Sequence, residues 1–468
     1  MSERTQASPT GLDWSAYETV AGGMGFGPEG FDMFGGPAVA PVAGGGLGQA
    51  LALCVGKRVC QQPGPEVMCP SFRASGDPAH STEGRALALR VALATEAADP
   101  AALLDPALAR QMAECVACKG CKRECPNGVD MALLKVEYLA RRQALTGVPL
   151  RSWLLAGTPR WLHHYRPLLR GAVALRNRLP WLAWLGERLF GISARVALPV
   201  PAARPFVPAP PVPGVRGTVL LLVDTFSRHY EPDIPQAAQR VLEAAGYRVE
   251  LARPAPEAPE PERPLCCGRS WLAAGMVAEA RQEARRMLAG LAPALAQGWP
   301  VVGLEPSCVL ALRDDYRSLG LGPEGAALAG RVFMFEEFLA RALDEGLQLP
   351  LRPLATDQAW LHGHCHQKAF GLMPATRRVL AQIPGLVVHG VESSCCGMAG
   401  SFGLEAEHAE RSAAMAEAAL WPALRQAPPR AAVVADGFSC RHQIRRGTDR
   451  APRHVAQYLR DALISHDS

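Results

Sequence analysis

Several features that would fix the class of a 468-residue chain at once are missing here. The opening stretch, MSERTQASPTGLDWSAYETV, has no apolar core of the kind a secretory signal needs, so none is expected. No run of eighteen uncharged apolar residues occurs, which argues against a membrane-spanning helix. Neither sign of charge dominates: 49 Lys and Arg face 44 Asp and Glu, and nothing demands nucleic acid as a partner. There is no Gly-x-Gly-x-x-Gly after a strand and no Walker loop. The run Gly397, Gly400, Gly403 lacks the Lys-Ser/Thr that would complete one. Fourteen cysteines are too few for a disulfide scaffold at this length, but they are clustered, which points to metal in a reducing cytoplasm. The length suits two to four domains.

Four of the cysteines crowd one run, Cys115-Val-Ala-Cys118-Lys-Gly-Cys121-Lys-Arg-Glu-Cys125-Pro126. The spacing C-x2-C-x2-C-x3-C-P is that of bacterial ferredoxins, where three thiolates hold one iron–sulfur cube and the fourth reaches a second cluster. A structural zinc site is the alternative, but it usually pairs two separated C-x2-C knuckles. Upstream stand Cys54, Cys60 and Cys69-Pro70, with Lys57 where a second thiolate would fall. A protonated lysine cannot ligate iron. If ligation crosses as in the ferredoxin pattern, Cys54, Cys60 and Cys125 share one cluster, and Cys69, Cys115, Cys118 and Cys121 the other. The first would be a three-iron cluster, or a four-iron cluster with an exchangeable ligand; the second would be a 4Fe-4S cluster. The C-x5-C spacing resembles the three-iron site of succinate dehydrogenase iron–sulfur subunits. The alternative is that Cys54 and Cys60 are ordinary buried thiols.

Residues 1–48 are glycine-rich and read as a linker or loosely ordered lead-in. Over 49–150, apolar residues recur at helical intervals in Ala86–Ala97 and Met131–Ala144, flanking the two cysteine loops. Residues 151–216 comprise a basic, Trp-rich helical segment and a Pro-rich linker. The first part, 151–195, carries eight arginines, one glutamate and Trp153, Trp161, Trp181 and Trp184. Such a helix can lie on an anionic membrane surface. Alternatively, its tryptophans pack on this protein or a partner and its arginines are solvated. Pro199–Pro213 reads as a stiff extended linker and the clearest boundary in the chain.

An α/β pattern then appears twice, over 217–350 and 357–465. The first copy reads as the strand Val219–Val223, a helix Ile234–Ala245, the strand Tyr247–Ala252, Cys266-Cys267-Gly268, a helix Ala274–Leu291, the strand Pro300–Leu304 and Cys308. The second reads as the strand Ala359–His362, Cys365, a helix Ala375–Gln382, the strand Leu386–His389, Cys395-Cys396-Gly397, a helix Glu405–Leu420, the strand Ala432–Ala435 and Cys440. The spacing from the second cysteine of each pair to the last cysteine is 41 and 44 residues, which argues for internal duplication. Strand–helix alternation implies mainly parallel sheets with cysteines at the strand ends.

The second copy holds a full set, Cys365, Cys395, Cys396 and Cys440. Adjacent cysteines cannot easily chelate one ion but can bind neighbouring irons of a cluster, so a further cluster is expected there. His364 and His366 flank Cys365 and read as hydrogen-bonded histidines, with cluster contact or proton relay as the alternative. The first copy keeps Cys266, Cys267 and Cys308, but its first strand ends in Asp224-Thr225-Phe226 without a cysteine. It holds an incomplete cluster or none.

These motifs resemble a known family. They are Met68-Cys-Pro-Ser-Phe72, His80 to Ala86, Cys115 to Met131, Val223-Asp-Thr-Phe226, Cys266-Cys-Gly-Arg269, Gly303 to Cys308, His362-Gly-His-Cys-His-Gln-Lys368, Cys395 to Gly403, and Ala435 to Cys440. The chain is similar to the iron–sulfur, C-terminal half of bacterial FAD-linked D-2-hydroxyglutarate/D-lactate dehydrogenase-type oxidases. It also resembles glycolate oxidase iron–sulfur subunits, heterodisulfide reductase B subunits and lactate-utilisation proteins. Two departures stand out: Glu83 where such proteins usually carry arginine, and Lys57-Arg58 in place of a small polar loop. The resemblance implies an α+β multidomain fold, with an α-helical ferredoxin domain followed by two tandem α/β CCG (cysteine-rich) domains. With no flavin domain in the sequence, FAD is expected on a partner dehydrogenase subunit. Electrons would pass through this chain to a quinone or other carrier, in the cytoplasm or at the inner membrane face. The alternative is a disulfide reductase acting at the second-copy cluster.

Overall fold

The computed structural model describes residues 10–18, 45–62, 64, 67–96 and 99–464. Its N-terminal part is helical: Gly45–Ala52, Pro70–Ser75, Thr82–Glu96, Pro106–Ala113, Gly120–Glu124 and Met131–Thr146. Local chemistry sets several of these starts. Asp105 accepts from the amides of Ala107 and Leu108, and Asp130 from that of Leu133, which satisfies orphan donors of the first turn. Proline occupies the first turn of Pro70–Ser75 and Pro106–Ala113, where a missing N–H costs nothing. The expected loose lead-in does not hold for residues 10–18. Leu12 and Trp14 are buried, and the Thr10 hydroxyl and Trp14 indole both donate to Glu137. The rest of that expectation, apart from 45–48, lies outside the described residues.

Three helices follow, Leu150–Ala156, Thr158–Arg178 and Pro180–Phe190. The second breaks at Tyr165, ahead of Pro167, whose ring cannot sit in an unbroken helix. Its arginines are not merely solvated. Arg166 donates to the carbonyls of Ala202 and Ala203, Arg170 to Pro201, and Arg176 to Ser193 and Val196. They hold the proline-rich segment, which lies across the first α/β unit with Phe206 buried and its amide on the Arg228 carbonyl. Trp153 packs on Trp161 with ring centroids 4.6 Å apart, while Trp181 and Trp184 remain more than half exposed. Among the described residues no helix is long and apolar enough to cross a membrane.

Two parallel sheets form the remainder. The first contains β1 (Thr218–Leu222), β2 (Arg248–Leu251), β3 (Val301–Gly303) and β4 (Val332–Met334) in the order β2-β1-β3-β4. The second contains β5 (Gln358–Leu361), β6 (Val387–Gly390) and β7 (Ala432–Val434) in the order β6-β5-β7. All their pairings are parallel, as the strand–helix alternation requires. Strands β1 and β7 carry unbroken runs of buried apolar residues, as strands covered on both faces do. One core runs from the helical part (Leu89, Met112, Leu134) into the first α/β unit (Trp271, Leu291, Tyr316). Another joins the two sheets through Val241, Leu339, Val379 and Leu459. The last helix, Val455–Ala462, packs on Asp233–Ala244 of the first unit.

Candidate metal centres

Cys115 to Cys125 form a tight loop. Ala117 (φ 48°) and Lys119 (φ 61°) both take the left-handed backbone that non-glycine residues avoid, a strain that gathers at functional loops. Cys121 lies in the turn Gly120–Glu124, and Cys69 caps Pro70–Ser75. Cys69, Cys115, Cys118 and Cys121 line one cavity together with Arg85 and Met131. Arg85 is almost completely buried. Its Nε donates to the Gln111 carbonyl at 2.8 Å, and one Nη reaches the Cys69 sulfur at 3.6 Å. Burial pushes the Cys118 and Cys121 thiols well up.

A second group lies beside it. Burial raises the Cys54 thiol, and Cys60 and Cys125 are among the groups close enough to act on it. Four of the seven N-terminal cysteines thus line one cavity, and Cys69 of that four also lies near enough to act on Cys60. The two departures near the first group meet each other: Arg58 faces Glu83 at 3.8 Å, and Gln61 donates to Glu83 at 3.3 Å. The exposed Arg58–Glu83 pair contributes little energy, but it places opposite charges together beside that group.

In the second α/β unit, β5 runs into a helix, Cys365–Ala369, capped by His364, so that Cys365 is its first residue. Cys395 and Cys396 precede Gly397 (φ 85°), where a Cβ would collide with the Ser412 carbonyl; the Gly397 amide donates to the Cys395 sulfur at 3.4 Å. Cys440 is the third residue of the helix Phe438–Gly447. All four thiols are buried and unpaired by disulfides. Contact with neighbouring thiols, then burial, raises Cys395 and Cys440. His364 spends Nδ1 on the His366 amide, and His366 Nε2 lies 3.2 Å from the Ala117 carbonyl. His362 is different: a ring nitrogen and the Cys396 and Cys440 sulfurs all lie within 4.8 Å of one another.

The first unit repeats this plan with one thiol fewer. Gly268 (φ 76°) donates its amide to Cys266 at 3.4 Å, and Cys308 is the third residue of Pro306–Arg313. The position of Cys365 is taken by Thr225, first residue of Thr225–His229. Asp224 caps that helix through Oδ1, leaving Oδ2 buried without a hydrogen-bond partner. Glu305 accepts the Phe438 amide at 2.8 Å across the unit boundary. Burial, then Asp224, pushes its carboxyl up to about 7.

The sets adjoin. Cys118 is buried in one small cluster with Val67, Cys365 and Cys395. The Ser394 hydroxyl donates to the Val67 carbonyl, and Arg269 reaches the Ala117 carbonyl at 3.5 Å. Lys119, between Cys118 and Cys121, is buried on Asp314 and Asp315 of the first unit, and Lys122 bridges Asp130 (2.9 Å) and Asp314 (2.7 Å). A cavity of about 770 Å³, mostly apolar, opens between the units and touches Cys115, Cys266, Cys267, Cys308 and Cys365.

These residues fit iron–sulfur clusters. Bunched buried thiols that resist ionisation alone, amides aimed at their sulfurs and nearby buried cations suit a sulfide-bridged anion with thiolate ligands. Sequence reasoning did not single out Arg85, Lys119 or His362. All three sit inside the motifs that carry the resemblance, but their roles depend on partners brought together only by folding.

Residues 50–129 match the 4Fe-4S dicluster domain, and residues 359–445 the cysteine-rich domain. The D-2-hydroxyglutarate dehydrogenase of Escherichia coli K12 is 26% identical over 451 residues, covering 85% of this chain and 42% of that protein. The C subunit of the anaerobic glycerol-3-phosphate dehydrogenase of the same organism is 31% identical over 241 residues, 51% of this chain and 57% of that protein. Lactate utilization protein A of Bacillus velezensis is 26% identical over 195 residues, 40% of this chain and 73% of that protein. The chain therefore spans about two fifths of the D-2-hydroxyglutarate dehydrogenase it matches. With a dicluster domain near its start and a cysteine-rich domain near its end, it is an iron–sulfur CCG-domain protein related to these three.

Proposed function

We propose that this chain is the iron–sulfur electron-transfer component of a flavin-dependent 2-hydroxy-acid dehydrogenase of the glycolate, D-lactate or D-2-hydroxyglutarate type. The observation that carries this reading is the burial of Cys118 in one small cluster with Cys365 and Cys395, which brings one N-terminal cysteine set against that of the second unit. In this reading the chain divides into a ferredoxin domain over 49–150 and two tandem CCG domains over 217–350 and 357–465. Cys54, Cys60 and Cys125 hold one cluster, Cys69, Cys115, Cys118 and Cys121 a second, and Cys365, Cys395, Cys396 and Cys440 a third. Cys266, Cys267 and Cys308 form an incomplete site.

The bound clusters supply one-electron redox capacity. The protein's own residues fix the spacing and exclude water. Lys119 anchors the Cys115–Cys125 loop to the first unit through Asp314 and Asp315. Arg85 and the amides of Gly268 and Gly397 place positive potential at sulfur. Flavin and substrate contacts belong to a partner subunit, and a quinone or other carrier takes the electrons. The test uses tagged chain isolated anaerobically from its host, assayed for co-purifying flavin and for bleaching of the visible bands by D-2-hydroxy acids. Flavin with bleaching supports the reading. Pure chain that oxidises a 2-hydroxy acid without flavin contradicts it.

The cavity between the units favours a second reading, a disulfide reductase whose substrate enters beside Cys308 and Cys365. Oxidation of the reduced protein by a disulfide, with no flavin and no bleaching, would select it.

A further inference from the structure

His362 directly follows β5, and its amide donates to the Val434 carbonyl of β7 at 2.9 Å, which fixes the backbone. The side chain is 1% exposed. Nδ1 lies 3.0 Å from the Ser393 hydroxyl, while Nε2 is buried with no hydrogen-bond partner. A buried ring nitrogen without a partner is costly unless something occupies the space before it. The cysteine sulfurs of the second unit are what it faces: a ring nitrogen, Cys396 Sγ and Cys440 Sγ lie within 4.8 Å of one another.

The tautomer follows from Lys368. Its Nζ donates to the Ser393 carbonyl, to the Ser393 hydroxyl oxygen at 3.2 Å and to the Ser394 carbonyl at 3.2 Å. Two of these three partners are carbonyls, which can only accept, so Nζ is the donor throughout. An ammonium cannot accept, so the Ser393 hydroxyl proton has His362 Nδ1 as its acceptor. Nδ1 is then the acceptor nitrogen, and the ring proton sits on Nε2. A nitrogen carrying that proton has no lone pair for iron; it donates.

We propose that His362 donates a hydrogen bond from Nε2 to the sulfurs held by Cys396 and Cys440, raising the reduction potential of the second-unit centre. The inference rests on an iron–sulfur group bound by Cys365, Cys395, Cys396 and Cys440. Hydrogen bonds to cluster sulfurs stabilise the more negative, reduced state. The first unit has Val223 directly after its strand and so has no such donor there. His362 is therefore a tuning residue, and the short motif His362-Gly-His-Cys365 carries both a ligand and the group that sets its potential.

The experiment is a potentiometric titration followed by electron paramagnetic resonance on the anaerobically purified full chain, with iron and sulfide counted first. His362→Leu should keep the iron and lower the second-unit midpoint by the order of 59 mV, the one-electron equivalent of a tenfold change in the oxidised-to-reduced ratio. His362→Gln, which retains an N–H donor, should recover most of that shift. Unaltered protein carrying nitrogen-15 histidine provides a readout free of folding effects. The donor assignment predicts a weak nitrogen coupling and a proton coupling lost in heavy water. A strong nitrogen coupling, or an unchanged midpoint in His362→Leu with full iron, overturns it. Wild-type protein without iron would instead defeat the iron–sulfur reading beneath it.

Discussion

In both α/β units a parallel strand runs into a short helix, and a Cys-Cys-Gly loop follows with its glycine in the left-handed conformation. A later strand then feeds a helix whose third residue is cysteine. The units part at the first residue of the first helix, Thr225 in one and Cys365 in the other, and just after the preceding strand, Val223 against His362. The glycine amides still point at Cys266 and Cys395 with equal lengths of 3.4 Å. The scaffold and its amide donors thus persist where the ligand set does not. One residue at a helix start decides whether a strand end offers three thiols or four.

This contrast can be broken most severely in the second unit. Cys396→Ser should remove that centre, with loss of its iron and of its resonance signal, while Cys267→Ser should leave both in place. Iron analysis and resonance spectra of the two variants check this. Next in size is Lys119→Met, which leaves Asp314 only Lys122 and Asp315 only Arg269, at 3.4 Å. Truncating one side of a buried charge cluster costs about 3–5 kcal/mol, and chemical denaturation should show it as a lowered midpoint without loss of cooperativity.

The link between the units is sensitive to acid. Arg441 of the second unit is buried against Glu231 of the first, with Arg445 at 2.8 Å from the same carboxylate. Burial alone would raise the Glu231 carboxyl, but the two guanidinium groups override it and hold it down to about 2. A lowered folded-state value stabilises the protein above the unfolded value near 4.5, and that contribution disappears as pH falls towards 2. The full effect is about 3 kcal/mol, so denaturation midpoints should drop between these limits, and less so in Glu231→Gln. The smallest change sharpens the contrast in the other direction. Thr225→Cys completes the first unit's set and should leave more iron bound after a chelator challenge than in the unaltered chain.

Much of this plan was legible in the sequence, because buried parallel strands leave short apolar runs and cysteines mark their ends. Val219–Val223 and Ala359–His362 differ from β1 and β5 by one residue at each end. The fourth strand, Val332–Met334, was not anticipated: three residues give no alternation to read. The expected helix Ala274–Leu291 is two, Arg269–Ala273 and Val277–Ala296, separated at Gly275 (φ 80°). Glu405–Leu420 is likewise shorter, with its regular helix limited to Ala409–Glu417. Motif spacing could name the cysteines but not the order in which their sets meet. That order depends on His366 reaching Ala117, Lys119 entering the first unit and Ser394 binding Val67, contacts separated by hundreds of residues.

The proposed electron path needs the N-terminal cysteine sets and the set of the second unit to conduct as one through Cys118, Cys365 and Cys395. The most direct test is resonance spectroscopy of the anaerobically purified, chemically reduced chain beside its Cys396→Ser variant. Spectra broadened by magnetic interaction between neighbouring centres are expected, collapsing in the variant to the signals of the N-terminal sets. A wild-type spectrum equal to the sum of isolated, non-interacting signals would contradict it.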